Sequence, residues 1–453
     1  MRLKPIKQSL HLCVLSALAA CSSYHPQPLN PQSLAEQNQA PTPAQLQILA
    51  GQIKHPLLKQ VAFDLTDGLS ADEAAILAVL QNPELRLARA KHGIANAQLL
   101  QAGLLPNPRV AYNFSALSGG LDTGKVQGYG ISLDWEVTAL LTQDQRISAA
   151  EAEQQAIDLQ IAWQEWQIAQ AAKLACYQLQ VYQIQQKLLT DSLQRLQSNQ
   201  QQLEQAVAQG WATLAESTTA TSATDTLVYR QQALLQQTSL QQQRLNRALG
   251  RKPDETVALQ TISLADELIV PSQEQLTQNL NQQRLDLLAL QQTYQVQEEQ
   301  VQIAVLQQFP KISIGPTQSK NNSNYYTVGG GIAITLPLFD QNQGAIALAT
   351  ATRQSVFDEY HNRDFQSKAD IAELVTNITA VNAEIKTART ALESLEILFK
   401  AYTSAHRQGQ VDQLTYYAAW NNLTEKQFEI LNLQLHLLEA RTALETATGR
   451  YAL

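Results

Sequence analysis

Two stretches of this chain are almost free of helix breakers, and that limits its fold more than any other feature. From Thr142 to Leu249 there is no proline and one glycine, Gly210; from Ala345 to Thr448 there is again no proline and one glycine, Gly409. Proline and glycine interrupt helices most strongly, so each stretch predicts a helix, one turn at the glycine and a returning helix. The outgoing arms, Thr142 to Gln209 and Ala345 to Gln408, would each run roughly 100 Å at about 1.5 Å per residue. A compact domain has no use for helices that long.

The two stretches belong to a duplication. Arg244-Leu245-Asn246-Arg247-Ala248-Leu249-Gly250-Arg251 is answered by Arg441 to Arg450, and both the Gly250/Gly449 and the Gly210/Gly409 pairs lie 199 positions apart. Upstream, Pro108-Arg109-Val110 is answered by Pro310-Lys311-Ile312, and Ile131-Ser132-Leu133 by Ile334-Thr335-Leu336, at offsets of 202 and 203. Landmarks in the same order at nearly constant spacing indicate two repeats of one design, 61–252 and 273–453, joined by an equatorial linker, 253–272.

Apolar periodicity predicts what the arms pack against. Ile371, Leu374, Ile378, Val381, Ile385, Ala388, Leu392, Leu395, Phe399 and Tyr402 alternate steps of three and four, as do Leu174, Tyr177, Val181, Ile184 and Leu188 in the first arm. These are heptad seams. Phe428, Leu431, Leu435 and Leu438 supply a matching stripe on a returning arm. A self-contained antiparallel pair already accounts for this pattern; a tunnel wall needs lateral packing between pairs as well.

Between a short helix around Asn82 to Gly103 and the first long arm, two runs alternate with period two: Arg109 to Ala116, and Val126 to Val137 with Tyr129, Ile131, Leu133 and Trp135 on one face. The second repeat mirrors them in Lys311 to Gln318 and Tyr325 to Leu338, giving β-hairpins at 109–137 and 311–338. Four strands with one apolar and one polar face cannot close a barrel, and lipid does not tolerate open edges. Either several copies associate, three giving twelve strands, or the hairpins form a soluble sheet.

The N-terminus has the layout of a secretory signal at 1–20: Arg2, Lys4 and Lys7, an apolar run from Leu10 to Ala20, then Leu18-Ala19-Ala20-Cys21. Leu-Ala-Ala-Cys resembles a bacterial lipobox, which implies acylation of Cys21, and Ser22 after it implies sorting to the outer membrane. Residues 21–60, with Pro26, Pro28, Pro31, Pro41 and Pro43 among Gln, Asn and Ser, predict an extended, lipidated tether. After signal removal only Cys21 and Cys176 remain, and an acylated Cys21 leaves no disulfide. No stretch of the mature chain is apolar for long enough to form a membrane-spanning helix. A net charge of −8 without a basic run excludes a phosphate-binding face, hence nucleic acid.

Taken together, Gln81-Asn82-Pro83-Glu84-Leu85-Arg86, Ala102-Gly103-Leu104-Leu105-Pro106-Asn107-Pro108, Leu336-Pro337-Leu338-Phe339-Asp340 and the two glycine turns resemble the TolC-type outer-membrane efflux family, from about Leu65 to the C-terminus. The resemblance implies an α+β, mostly α fold: duplicated coiled-coil helical hairpins plus β-hairpins, trimerising into a 12-stranded outer-membrane β-barrel above a periplasmic α-helical barrel. It implies a homotrimer working with a periplasmic adaptor (membrane fusion protein) and an inner-membrane pump of the resistance-nodulation-division type, in contact with outer-membrane lipid.

On that resemblance the adaptor-docking tips are Gly210 with Ala212, Thr213 and Leu214, and Gly409 with Val411 and Leu414. A left-handed glycine at a helical turn is the purely structural alternative, and both can hold. The family narrows its tunnel with aspartates where this chain has Thr415 and Ala418, so an acidic gate moves to Glu216 and Asp412, beside Thr415; a lone carboxylate at a tip is otherwise a helix cap. The stretch from Ser217 to Thr224 is a poor helix former, leaving two outcomes: neighbours hold it helical or the hairpin frays.

Leu338-Phe339-Asp340-Gln341-Asn342-Gln343-Gly344 resembles the turn of the heavy-metal efflux branch, so metal ions or small molecules are the expected cargo, ahead of polypeptides through a type I secretion duct. The histidines are scattered without a ligand-like pair, no catalytic motif stands out, and no cofactor is implied. A periplasmic coiled-coil lipoprotein without a pore is the rival reading, and it leaves the amphipathic hairpins unexplained.

Overall fold

The structure, a computed structural model, describes residues 24–30, 43–53, 55–58, 61, 63, 66–120 and 126–451. The signal segment and Cys21 lie outside these residues. The chain divides into two units, Met1–Thr42 and Pro43–Leu453. In the first, residues 24–30 are exposed and in no regular element.

The helices are α1 (Pro43–Gln52), α2 (Ala71–Gln81), α3 (Pro83–Gly103), α4 (Gln143–Ala208), α5 (Leu214–Ala248), α6 (Gln273–Thr277), α7 (Leu280–Gln283), α8 (Leu285–Leu306), α9 (Gln343–Arg407) and α10 (Gln413–Thr448). The strands are β1 (Arg109–Ser115), β2 (Gly128–Glu136), β3 (Lys311–Lys320) and β4 (Tyr326–Thr335). The outgoing arms α4 and α9 run 66 and 65 residues without a break. Both end in a Schellman turn: Trp211 N–H reaches Ala206 O at 2.8 Å and Gly210 N–H reaches Val207 O at 3.0 Å, while Gln410 and Gly409 repeat the pattern on Ala405 and His406 at 2.9 Å each.

Four sequence expectations change. The extended tether stops short of residue 43, because α1 forms there and buries Leu46 and Ala50 against α2; Pro43 starts the helix, where its missing N–H costs nothing. A second helix, α2, precedes the one at Pro83, capped by Ser70 and Glu73 and buried along most of its length. In the first arm the buried stripe is Ala169, Ala172, Cys176, Leu179, Leu189, Leu193 and Leu196; of the predicted seam only Val181 is fully buried. α4 packs against α2, α3, α5, α8 and α10, so small residues that admit close helix approach are buried and a count of large side chains misses them. The fourth strand ends at Thr335, because Pro337 offers no N–H and Leu338 N–H turns back to Leu336 O.

The four strands form one antiparallel sheet in the order β1-β2-β3-β4, so β2–β3 joins the two repeats. Tyr112↔Ile131 in the first hairpin and Ile314↔Ile332 in the second are equivalent pairs when Pro108 is matched with Pro310. Ile131 therefore corresponds to Ile332, two residues from the Ile334 that sequence comparison selects; the shift is even, so the faces are unchanged. Opposite Gly315 and Pro316 the β2–β3 ladder is interrupted, with pairs resuming at Trp135↔Ile314.

Each repeat is also closed on itself in the helical part, by equivalent bonds. Asn82 Nδ2 donates to Ala248 O at 3.0 Å at the end of α5, and Arg284 Nη1 donates to Ala447 O at 2.8 Å at the equivalent end of α10. The linker pairs with residue 69 in a parallel bridge, Leu69 to Leu259. It then reaches the second hairpin, where Asn382 bonds both backbone groups of Leu268, at 3.0 and 2.9 Å.

Beyond α1 the chain is pinned by His55, whose side chain is buried. Its Nδ1 accepts the backbone N–H groups of Leu57 and Leu58, both at 3.1 Å, so its Nε2–H donates to Ala162 O at 2.8 Å and the ring is neutral. Burial pushes its pKa below the ordinary 6.5, against the upward pull of the Ala162 bond and of Glu165, which lies 3.8 Å away; Arg89 adds to the lowering. A folded pKa below the unfolded one means that the unfolded chain binds the proton more readily. The stabilisation is complete above about pH 6.5 and is lost as pH falls from there through the folded value. Limited proteolysis of residues 43–63 should therefore be faster at pH 5.5 than at 7.5, and H55Q should remove the difference; equal pH dependence in H55Q assigns the effect to another group.

Candidate functional site

The two helical tips are built alike with their polar groups exchanged. In the first, Thr213 is the N-cap of α5: its hydroxyl accepts the Glu216 N–H at 3.3 Å, while the Glu216 carboxylate accepts the Thr213 N–H at 2.7 Å and hydroxyl at 2.8 Å. In the second, the carboxylate is the cap: Asp412 accepts the Thr415 N–H at 2.7 Å and the Thr415 hydroxyl at 3.2 Å. Each is a carboxylate–hydroxyl pair three residues apart that satisfies free helix N–H groups. The bonds from Thr213 hold the Glu216 pKa below the usual carboxylate range, those from Thr415 do the same for Asp412, and Asp412 acts electrostatically on Glu216. Both carboxylates are helix-capping groups, Asp412 exposed and Glu216 half-buried; any service as a gate is added to that role.

Gly210 and Gly409 adopt φ of +74° and +71°, and a Cβ at either would meet nothing within 4 Å. Backbone conformation alone selects glycine there. Leu214 and Leu414 are exposed, Thr213 is exposed, and Ala212 and Val411 are half-buried. Sequence reasoning missed Trp211, directly after the turn and almost fully exposed. A large aromatic held out at a glycine turn was the available signal.

The stretch after the first tip is helical throughout. Thr218, Thr219, Thr221 and Thr224 each turn their hydroxyl onto the carbonyl four residues earlier, at 2.9, 2.9, 3.0 and 2.9 Å, which hides the polar group from its surroundings. A cleft of about 860 Å³ runs between α5 and α10 here, lined by Leu214, Thr218, Ser222, Leu414, Tyr417 and Ala418. The second tip is stiffened by aromatics instead. Phe399 packs edge-on to Trp420 at 5.2 Å and tilted on Tyr416 at 5.6 Å, and the His406 ring stacks on Tyr416 at 4.9 Å while its Nδ1–H donates to Val411 O.

At the other end the sheet has two chemically distinct faces. Directly paired residues share a face, which places Val110, Tyr112, Phe114, Ile131, Leu133, Ile314, Ile332 and Ile334 on one side. Asn113, Ser115, Ser132, Asp134, Thr317 and Ser319 lie on the other. The apolar residues of β1 and β4 are largely exposed. Among the described residues no helix is long and apolar enough to cross a membrane. Among them, too, no group of three His, Cys, Asp or Glu side chains is disposed to hold a metal ion. The Cys176 thiol is pushed up to about 12 by burial, with Glu73 and Asp72 adding to the effect, so it is a packed residue and a poor nucleophile.

Residues 276–450 match the family model described as outer membrane efflux protein. No curated protein matches the chain. Among solved structures, the outer membrane protein VceC of Vibrio cholerae is 20% identical, with a TM-score of 0.68 over 84% of this chain and 96% of that one. CusC, described in terms of folding and transmembrane channel formation, is 17% identical at a TM-score of 0.71, over 88% and 96%. The CmeC outer membrane channel of Campylobacter jejuni is 14% identical at 0.71, over 95% of each chain. The second repeat thus matches the outer membrane efflux protein family in sequence, and the chain shares the fold of these channels across both repeats.

Proposed function

We propose that this chain is the exit duct of a tripartite efflux system, a homotrimer whose sheets close a twelve-stranded barrel in the outer membrane and whose helices line a periplasmic tunnel. One observation carries the reading. Within the chain, repeat 1 joins repeat 2 through β2–β3, α4–α8 and α4–α10. Because the repeats are equivalent, the free side of repeat 2 offers the same surfaces to the free side of repeat 1 in another copy: β4 to β1, α9 to α3, and α9 to α5.

Exposed apolar residues lie where those contacts would fall. Leu87 and Ile94 on α3, Leu348 and Phe365 on α9, and Tyr229 on α5 are all exposed in the single chain. Tyr229 is the counterpart, 199 positions earlier, of Phe428, which is buried at the α4–α10 junction. A head-to-tail contact of this kind generates a ring. Three copies supply twelve strands of 7 to 10 residues, about the length a tilted strand needs to cross a bilayer. The apolar face then meets lipid and the polar face lines the channel.

The tips, with exposed Trp211, Leu214 and Leu414 beside the α5–α10 cleft, are the surface for a periplasmic adaptor, which couples the duct to an inner-membrane pump of the resistance-nodulation-division type. Glu216 and Asp412 place negative charge at the tunnel entrance. Cys21 anchors the chain to the outer membrane by lipid. Small molecules or metal ions are the cargo. A scaffold without a pore leaves the two-faced sheet without a role.

By strand register, Ser132↔Thr317 inside the chain corresponds to Ala333 of one copy against Ser115 of the next. The double variant S115C/A333C should oxidise to covalent dimers and trimers and nothing larger, in protein that conducts ions across planar bilayers. Folded protein that stays monomeric with cysteines at 331, 333 or 335 against Ser115→Cys, and does not conduct, would remove the duct reading.

A further inference from the structure

Where the sheet meets the helices, the chain bounds a cavity of about 700 Å³ that plays no part in the duct as described so far. It lies among the β2–α4, α8–β3 and β4–α9 connections, so all of its walls come from one copy. Its apolar wall is Leu141, Leu306, Phe309, Leu336, Leu338 and Phe339. All but Leu306 are exposed, and Phe339 is 95% exposed. The matching stretch of repeat 1, Thr138 and Ala139, has no aromatic there, so the turn into the long helix does not itself require one. Large apolar side chains gathered around a concavity of this size, with a few polar groups among them, are the usual makings of a small-molecule site.

The charges in the cavity are unevenly compensated. Lys311 starts β3 as Arg109 starts β1, but Arg109 has Asp134 directly across the ladder and Lys311 has Thr335. Among the described residues Lys311 takes part in no ion pair, and neither does Arg146, whose Nε and Nη2 donate to Thr142 O at 3.4 Å and Ala139 O at 3.0 Å. Those carbonyls fix the guanidinium without cancelling its charge. The two carboxylates of the cavity are turned to local bonds: Glu136 accepts the Thr138 hydroxyl at 3.3 Å, and Asp340 accepts the Asn342 N–H at 2.9 Å. Each carboxylate already holds a donor, whereas neither cation has a carboxylate within ion-pair reach.

We infer that this cavity binds amphipathic organic anions, a carboxylate or sulfonate on an apolar body, with Lys311 and Arg146 taking the acid group and Phe309, Leu338 and Phe339 the body. Glu136, Lys311 and Thr335 all lie on the polar face of the sheet, by the pairs Glu136↔Ser313 and Lys311↔Thr335. That face lines the channel in the duct reading, so the site opens onto the lumen at the foot of the barrel, once in each copy. The inference rests on that reading for the position of the site and on a single chain for its walls. Transit requires a contact strong enough to draw the solute in and weak enough to let it leave, and an open-sided cavity with two unpaired cations meets both needs.

The purified protein in lipid nanodiscs, with empty discs as the blank, should bind 2-naphthalenesulfonate in calorimetric titration. K311Q and F339S should each weaken that binding about tenfold, the size of one lost charge-assisted bond or one lost aromatic contact. Both side chains are exposed, so the oligomer should survive either change. Trimethyl(2-naphthyl)ammonium, the same ring with the opposite charge, and methanesulfonate, the acid group without the ring, should also bind about tenfold more weakly. In planar bilayers the naphthalenesulfonate should interrupt the current, and the interruptions should shorten in both variants. The inference is overturned by no binding, by equal binding of the cation, by unchanged affinity in either variant, or by binding that never interrupts the current of open pores. Binding retained in a protein that forms no pore would instead remove the duct reading and leave the site.

Discussion

A K173M variant should unfold with about 3 kcal/mol less stability than the parent, the low end of the range for removing one member of a buried ion pair. The Lys173 residue is 2% exposed and its Nζ lies 3.1 Å from both Asp72 Oδ1 and Glu445 Oε2, with the Tyr451 ring 4.7 Å away. The Glu445 side chain has no exposure, so in K173M it keeps only Arg441, 3.2 Å away at Nε, to balance a charge removed from water. Urea unfolding of the detergent-solubilised protein reads the loss directly. The double variant K173M/E445L should recover most of it, because an apolar pair of similar volume avoids the desolvation cost of both ions. A loss under about 1 kcal/mol in K173M, within the range of surface pairs, would mean that the cluster is effectively solvated. The position matters because Asp72 is on α2, Lys173 on α4 and Glu445 on α10: one ammonium ties both repeats together at the equator.

The second large effect is expected in the sheet. A Cβ on Gly315 would lie 1.7 Å from Leu133 O and 2.6 Å from Leu133 C, a backbone neighbour that no rotamer change can move. G315A must therefore push β3 away from β2, and β2–β3 is the pairing that joins the two hairpins. Overpacking in a tight interior costs about 1–3 kcal/mol, and here the strain falls on strand pairing itself, so the cost lies at or above the top of that range. The expected outcome is loss of oligomer and of conductance. G329A is the control in the neighbouring strand, since its Cβ meets only Thr317 Oγ1 at 3.7 Å. Normal oligomers from G315A would show that β2 and β3 stand further apart in the assembled protein than in the single chain.

Proline 337 and the glycines explain why so much of the plan is legible in the sequence. The long arms, their turns at Gly210 and Gly409, and the strand alternation depend on rules that act over a few residues: where a helix can break, which residue tolerates positive φ, which face each side chain takes. The duplication is legible because equal folds put equal punctuation at equal spacing. Where those local rules apply, the lengths of α4 and α9 and the starts of β1 and β3 follow from the residues. At the tips the same rules placed Thr213, Asp412, Glu216 and Thr415 near helix N-termini, where the structure finds them capping.

Contacts between distant residues are another matter, because nothing within a short window encodes them. The Ser217–Thr224 stretch is helical because its hydroxyls bond backward and because Ala220, Thr224 and Leu227 are buried in a core shared with α4 and α10. The first-arm seam lies on small residues because five other helices crowd α4. Lateral packing of the two hairpins, the Lys173 cluster bridging residues 72, 173 and 445, the linker strap at Asp266 and the β2–β3 join all pair positions a hundred or more residues apart. By itself the sequence determined the elements and their repetition, since propensity, breakers and period are properties of neighbouring residues. The tertiary structure alone decided which faces meet and which edges stay open, since burial and charge pairing depend on what the rest of the chain brings near.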